Sequence, residues 1–446
     1  MNDEILVEDF NLNEENSSGR NNSPKKKRKK NGKKKNGKKK KALRNTIIVF
    51  EVLAVLYCVG IFSNIPIIEK WRTIYIETAM TTNSHQWLAT YFIPGYIIDD
   101  VMEQYRRAKE EQMALESKWK ETQKESETQK VDPKQEFFEK YWELDTVSFR
   151  NYLDQNPSLT QNGYDNILIQ DMDNELGLTT TNGDAVLAVD TANNLLLVGL
   201  DKSNDFYFYK AKMAIVKNPE QIELAKAKTF GSVGELIDTF AEDNDALLAI
   251  NASGFSDAGG HGNGAQVKGS MIMDGQEYGV PHAGFWKFYG MKYDNRLYVT
   301  NYSQDITSGY RWGIEFFPAL IVDGENVVDR TYGMGIQPRT SIGQTANGDF
   351  IMLIVDGRQP THSMGCTVED CSNVLMSYKA IQGANLDGGS SAVMWYNGEQ
   401  ITKSSSKAGN GRYMPNALIV KKMTNMSSGS TGATTSQSAN TTNSSN

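Results

Sequence analysis

Three short polar passages stand close together in the last third of the chain: Pro338-Arg339-Thr340, Asp356-Gly357-Arg358 and Asn385-Leu386-Asp387-Gly388-Gly389-Ser390-Ser391. The second follows a continuous apolar run, Phe350 to Val355. Such a run reads as a buried strand, and polar groups at its end face a cleft rather than the core. Guanidinium groups grip phosphate bidentately, and a carboxylate beside them can move protons or face a developing positive charge. Asp387 is the first candidate for a catalytic or anchoring carboxylate, because the double glycine after it lets backbone approach a ligand closely. The amides of that turn (Gly388, Gly389), with the Ser390 and Ser391 hydroxyls, offer a cradle for a phosphate oxygen. Asp356 and Arg358 can divide the labour, the arginine holding phosphate and the aspartate handling protons or sugar hydroxyls. Arg339 and Arg412 are further phosphate candidates. Asn251 ends the apolar run Leu247 to Ile250, so its amide points toward the same cleft and could bind a sugar. His261, in a glycine-rich loop, and His362, just past Asp-Gly-Arg, are candidate site residues; His85 and His282 stand in no motif. Each residue also has a plainer reading: an aspartate that orders its own turn, an arginine in a surface ion pair, an asparagine that caps.

Other chemistries lack their residues. There is no His-Glu-x-x-His, no Ser-His-Asp spacing and no Walker loop, and Gly260-His261-Gly262-Asn263-Gly264 lacks the βαβ context of a dinucleotide fingerprint. Three cysteines are too few for a disulfide framework. Cys366 and Cys371 read either as one local bridge or as two packed thiols, and Cys-x4-Cys without a histidine pair is a poor zinc signature. No cofactor is required by these residues; a divalent metal shared by Asp356 and Asp387 is compatible with them.

In this order, the three passages resemble the phosphodiester glycosidase family, whose bacterial relatives are often labelled exopolysaccharide biosynthesis proteins. The resemblance runs from about Leu247 to Lys421, and many members have a third glycine where this chain has Ser390. It implies hydrolysis of a sugar 1-phosphodiester to sugar and phosphomonoester. Cleaving the anomeric C–O bond builds positive charge on the sugar ring, which a nearby carboxylate stabilises. A phosphate ester leaves readily, so donors around it, Arg339, Arg358 and the Gly388 to Ser391 turn, matter more than a strong general acid. A nucleophilic Asp387 and a base-activated water both remain open.

The elements that must position these residues follow from pattern. Apolar runs at Asn166–Ile169, Ala185–Val189, Leu195–Val198, Ala211–Val216, Met271–Met273, Phe285–Phe288, Arg296–Thr300, Ala319–Val322, Val393–Tyr396 and Asn416–Val420 predict strands, with Asp274-Gly275 and Asn397-Gly398 as hairpin turns. Glu136 to Trp142 and Gly231 to Phe240 predict helices. The expected class is α/β, strand-rich, a mixed sheet layered with helices, preceded by a single transmembrane helix and a helical stalk.

Charge is divided along the chain: residues 1–44 carry a net +9 and the remainder a net −16. The lysine tract Lys25–Lys41 could read as a nucleic-acid or nuclear-targeting segment, but Thr46 to Ile68 follows it as an apolar span with one charge, Glu51. A basic block before a spanning helix stays in the cytoplasm and touches anionic lipid, leaving the rest of the chain outside. The predicted organisation is a disordered basic cytoplasmic segment (1–44), a transmembrane signal anchor (45–68), an aromatic juxtamembrane segment and charged helical stalk (69–131), an extracellular glycosidase-like domain (132–423) and a Ser/Thr/Asn tail (424–446). Between Glu69 and Met102 the aromatics read either as membrane-interface anchors or as a helical hairpin packed on the body. The function expected is hydrolysis of a sugar 1-phosphodiester in a cell-envelope glycan or exopolysaccharide. Partners are that glycan phosphate and membrane lipid, with no nucleic acid. The alternatives are a non-catalytic glycan-binding or assembly module and a transferase that moves the sugar to an alcohol.

Overall fold

In the computed structural model, residues 32–82, 85–119, 132–257, 262–284, 286–304, 306–328 and 334–424 are described. His261, part of the basic segment, residues 120–131 and most of the tail lie outside them. The chain forms two compact units, Met1–Ser63 and Asn64–Asn446.

Within the first unit, helix α1 runs Gly32–Phe62. Its stretch Lys39–Phe62 is 24 residues, long and apolar enough to cross a bilayer, with none of it buried. The span ends before Ile68, where its composition suggests. Pro66 cannot continue a helix but suits the first turn of a new one, so Ile67 and Ile68 belong to α2 (Pro66–Met80).

In the second unit, the run Phe350–Val355 is a fully buried strand. It lies inside a nine-stranded sheet in the order 168–170, 185–190, 195–203, 208–216, 350–355, 339–345, 380–385, 319–322, 325–326. Side chains alternate across it. Ile351, Leu353 and Val355 join a core shared with Phe149 and Leu375 on the helical side. Phe350, Met352 and Ile354 join the opposite core with Leu248 and Ile250 of another sheet. Burial on both faces explains why the run is apolar without alternation. Two five-stranded sheets complete the body, 297–300, 287–292, 310–316, 269–273, 276–280 and 399–400, 394–396, 246–251, 416–421, 222–226. The strand-rich helix-and-sheet expectation holds, and every described strand pairing is antiparallel. Asp274 and Gly275 both take positive φ, as the two-residue hairpin demands. The helix predicted from Gly231 forms only at Ile237–Asp243.

The helical region after α1 does form, as α2, α3 (Trp87–Thr90) and α4 (Gly95–Gln112). It lies on the body instead of standing clear of it. Ile98, Val101 and Tyr105 fall on one face of α4 and are buried. Gln112 donates to the Ala319 and Val327 carbonyls and accepts from the Ala319 amide. The chain then continues along the body, with the Ser117 amide donating to Val299 and the Trp119 indole to Leu297.

Candidate active site

The site forms where strands of two sheets end. Strand 339–345 lies between 350–355 and 380–385, with Arg339 opposite Val355 and Ser341 opposite Asn385. Because the neighbours are antiparallel, the start of the middle strand and the ends of the other two meet at one edge. That edge receives Arg339, then Arg358 just past Val355, and Asp387 just past Asn385. All three line one cleft of about 1000 Å³, with Gly388, Gly389, Ser390, Ser391 and Arg412. Its basic side chains, Lys268, Arg339, Arg358, Lys407 and Arg412, outnumber its carboxylates, Asp257 and Asp387. A cationic cleft in a net acidic body suits a local anion.

Arg339 is buried and fixed in plane: Nε donates to the Cys366 carbonyl at 3.2 Å, and Nη2 to those of Met334 and Gly335 at 2.9 and 2.7 Å. Arg358 takes a left-handed φ of 58°, uncommon away from glycine. Its Nη2 donates to Gln337 Oε1 at 3.1 Å. Burial and the Arg339 charge lower the Arg358 pKa, and Asp387 partly offsets them. A side chain at Gly388 would meet the Pro338 carbonyl oxygen at 2.7 Å, and one at Gly389, where φ is 62°, would lie 3.2 Å from the Arg358 guanidinium. The double glycine thus serves close packing. It is a poorer amide cradle than its sequence suggests, since the Gly389 N–H donates to Pro338 and the Ser391 N–H to Gly388.

Asp387 is half-buried in the wall, and its carboxyl is pushed up to about 7. Burial is the main cause; Asp257 adds to it, while the Ser391 hydroxyl, Arg412 and Lys268 work against it. Asp257 behaves oppositely. Burial raises it, but the bidentate grip of Arg412 (2.7 and 3.0 Å) and the Gly262 amide outweigh burial and leave it below its ordinary value. One cleft therefore holds a carboxyl that titrates near neutrality and another that stays ionised.

The remaining candidates lie elsewhere. Asn251 is buried and spends its amide on structure: Nδ2 donates to the Asp387 carbonyl at 2.5 Å, and Oδ1 accepts from Thr340 and the Val393 amide. It braces the Asp387 turn and offers no face to a sugar. Asp356 and His362 do not line the cleft. Alternate residues of an extended chain share a face, but the left-handed backbone at Arg358 breaks the extension, and Asp356 does not share the cleft with Arg358. The Asp356 Oδ2 pairs with His362 Nε2 at 2.7 Å and Oδ1 accepts the Lys403 amide at 2.9 Å. Burial raises its pKa, with His362 and Lys403 opposing. The pair anchors the segment that continues into Ser405–Arg412, which forms part of the cleft wall. No ion shared by Asp356 and Asp387 follows from this arrangement, and no group of three His, Cys, Asp or Glu among the described residues could hold a metal. Cys366 and Cys371 are buried thiols, 3.4 Å apart.

Several lining residues carry no signal in the motifs. Asp257 follows Asn251 on the same strand exit, the one clue that could have found it. Trp286, Phe316 and Phe317 form an aromatic wall with ring centroids 5.1–5.6 Å apart. His282 stacks on Trp286 at 4.0 Å. The Asn385 side-chain oxygen is buried in the wall without a partner among the described residues. Thr81, Thr82 and His85 line the cleft from the segment after α2.

The cleft thus gathers guanidinium groups, two carboxyls of divergent acidity and an aromatic wall. Residues 244–421 match the family described as phosphodiester glycosidase, and the chain carries a domain of that family. It is 30% identical over 194 residues to the SPbeta prophage-derived uncharacterized protein YomE of Bacillus subtilis, covering 40% of this chain but only 28% of that protein. Among solved structures, the catalytic domain of zebrafish N-acetylglucosamine-1-phosphodiester alpha-N-acetylglucosaminidase, auto-inhibited by its pro-peptide, is 21% identical with a TM-score of 0.44, covering 51% of this chain and 82% of that one. A hypothetical protein from Synechocystis is 14% identical with a TM-score of 0.37, covering 51% and 62%.

Proposed function

We propose that this chain is a membrane-anchored hydrolase that cleaves a sugar 1-phosphodiester in a cell-envelope glycan outside the cell. The observation that carries the reading is Asp387, titrating near neutrality in the same cleft as Arg339 and Arg358. Arg358 and Arg339 hold the phosphate, and the sugar packs its C–H face on the Trp286, Phe316 and Phe317 wall. Water attacks the anomeric carbon and gives its proton to Asp387, a base of suitable strength near pH 7. The anomeric C–O bond breaks with its electron pair going to the phosphate oxygen, where the arginines offset the charge. Asp257, kept ionised by Arg412, faces the positive charge that develops on the ring. No cofactor enters these steps.

The anchor is the apolar part of α1, with the lysine-rich tract Lys25–Lys41, which includes the first turns of that helix, on the cytoplasmic side against anionic lipid and the residues after the span outside. The experiment offers the full-length protein, in detergent, an N-acetylglucosamine 1-phosphodiester. Free sugar and phosphomonoester in equal amounts support hydrolysis. Sugar joined to an added alcohol indicates a transferase, and tight binding without product indicates a glycan-binding module.

A further inference from the structure

The loop that orients both phosphate arginines is held by a helix outside the family-matched segment. In that loop, the Met334 and Gly335 carbonyls fix Arg339 Nη2, and Gln337 Oε1 accepts from Arg358 Nη2. Helix α2 and its C-cap, Thr81, grip the same loop residues. Thr78 Oγ1 accepts the Ile336 amide at 3.0 Å. Thr81 Oγ1 accepts from Gln337 Nε2 at 2.7 Å; its single proton points to the Glu77 carbonyl of its own helix at 2.7 Å, with the Met334 carbonyl farther off at 3.3 Å. Glu77 accepts the Gly335 amide and its carboxyl faces Arg339. Contact is so close that a side chain on Gly335, at φ 60°, would run into the Thr78 backbone. Past α2, Thr81, Thr82 and His85 join the cleft lining, and Lys109 of α4 sits 3.8 Å over the Phe317 ring behind the aromatic wall.

We propose that the C-terminal end of α2 is a working part of the site: Thr78 and Thr81 are positioning residues that set the 334–337 loop, and through it Arg339 and Arg358, for the substrate phosphate. The proposal rests on the phosphodiester reading above. It gives the segment just after the apolar helix a role in binding, where the sequence alone reads as a membrane-interface anchor or a hairpin packed on the body. Thr81 is the sharper lever, because its hydroxyl ties the end of α2 to the glutamine that orients Arg358.

The test uses the full-length protein in detergent with two probes, inorganic phosphate binding by calorimetry and steady-state hydrolysis. Thr81→Val keeps the shape and removes the hydroxyl. Phosphate Kd should rise about tenfold, the scale of one lost hydrogen bond. KM should rise with kcat little changed, since phosphate is held alike in ground and transition states. Thr81→Ser should restore both. Gln337→Met cuts the same link from the other side, so the double variant should be no weaker than the worse single. Wild-type phosphate affinity in Thr81→Val, or fully additive effects, overturns the proposal. If melting shows that Thr81→Val unfolds, Thr78→Ala takes its place: weaker phosphate binding supports the role and unchanged binding overturns it. A wild-type chain that neither binds phosphate nor turns over sinks the functional reading and this one with it.

Discussion

Replacing Asp387 by asparagine should make the protein more stable above neutral pH while removing its activity. In the folded chain this carboxyl keeps its proton to about pH 7, whereas its ordinary value is 3.8. Between those values the folded state binds more protons than the unfolded state. Wild-type stability therefore falls as pH rises through that window and is lowest above it. A gap of about three pH units, at ~1.4 kcal/mol each, is about 4 kcal/mol in all. About 3 kcal/mol of this falls between pH 5 and pH 8. Asparagine cannot ionise, so the stability of Asp387→Asn relative to wild type should grow by that amount over the interval. The assay is urea unfolding of the full-length protein in detergent, followed by tryptophan fluorescence at several pH values. On the same samples, hydrolysis should fall by about 10²–10⁴-fold, and wild-type kcat/KM should rise with pH through an inflection near 7. A stability difference that stays constant with pH, or wild-type turnover in the variant, refutes the reasoning.

Arg358→Lys keeps the charge but loses the planar fork, so KM should rise about tenfold with a smaller change in kcat, read by steady-state kinetics. Trp286→Ala should weaken the affinity of a competing free sugar about tenfold, measured by inhibition, because the aromatic wall loses its largest ring, which touches both phenylalanines. Asp356→Ala removes both acceptor oxygens, the one that holds the Lys403 amide and the one that holds the His362 ring. Amide exchange over 403–412 should speed up, with kcat/KM falling about fivefold and the inflection near pH 7 unmoved, since one hydrogen bond is worth about 1 kcal/mol.

Local pattern carried the long apolar elements. Phe350–Val355, Ala185–Asp190 and Leu247–Ile250 are strands because apolar runs this short, bounded by polar and turn residues, fit a buried strand better than a helix, and Asp274-Gly275 and Asn397-Gly398 turn because their positive φ favours those residue types. Other elements were not legible. Arg339–Thr345 and Ala380–Asn385 are rich in polar and small residues, yet both strands are almost wholly buried. Several of their polar groups are satisfied by neighbours distant in the chain, such as Thr340 by Asn251 and Gln344 by the Asn295 carbonyl, while Ser341 Oγ and Asn385 Oδ1 are buried without a partner among the described residues. Hydropathy cannot register burial of that kind.

For the site, the amino-acid sequence determined which residues could grip phosphate and which aspartate stood beside a close-packed turn, because glycine and arginine restrict the backbone and ligand chemistry locally. It also determined the apolar stretch of α1, whose composition needs no partner to be read. Only the tertiary structure decided that Asp257 shares the cleft with Asp387 while Asp356 turns away to hold its wall. It alone brought α2 against the arginine loop. Those choices depend on which strand ends meet at one sheet edge, and the fold joins residues as distant in the chain as Asn251 and Asp387, which no local spacing relates.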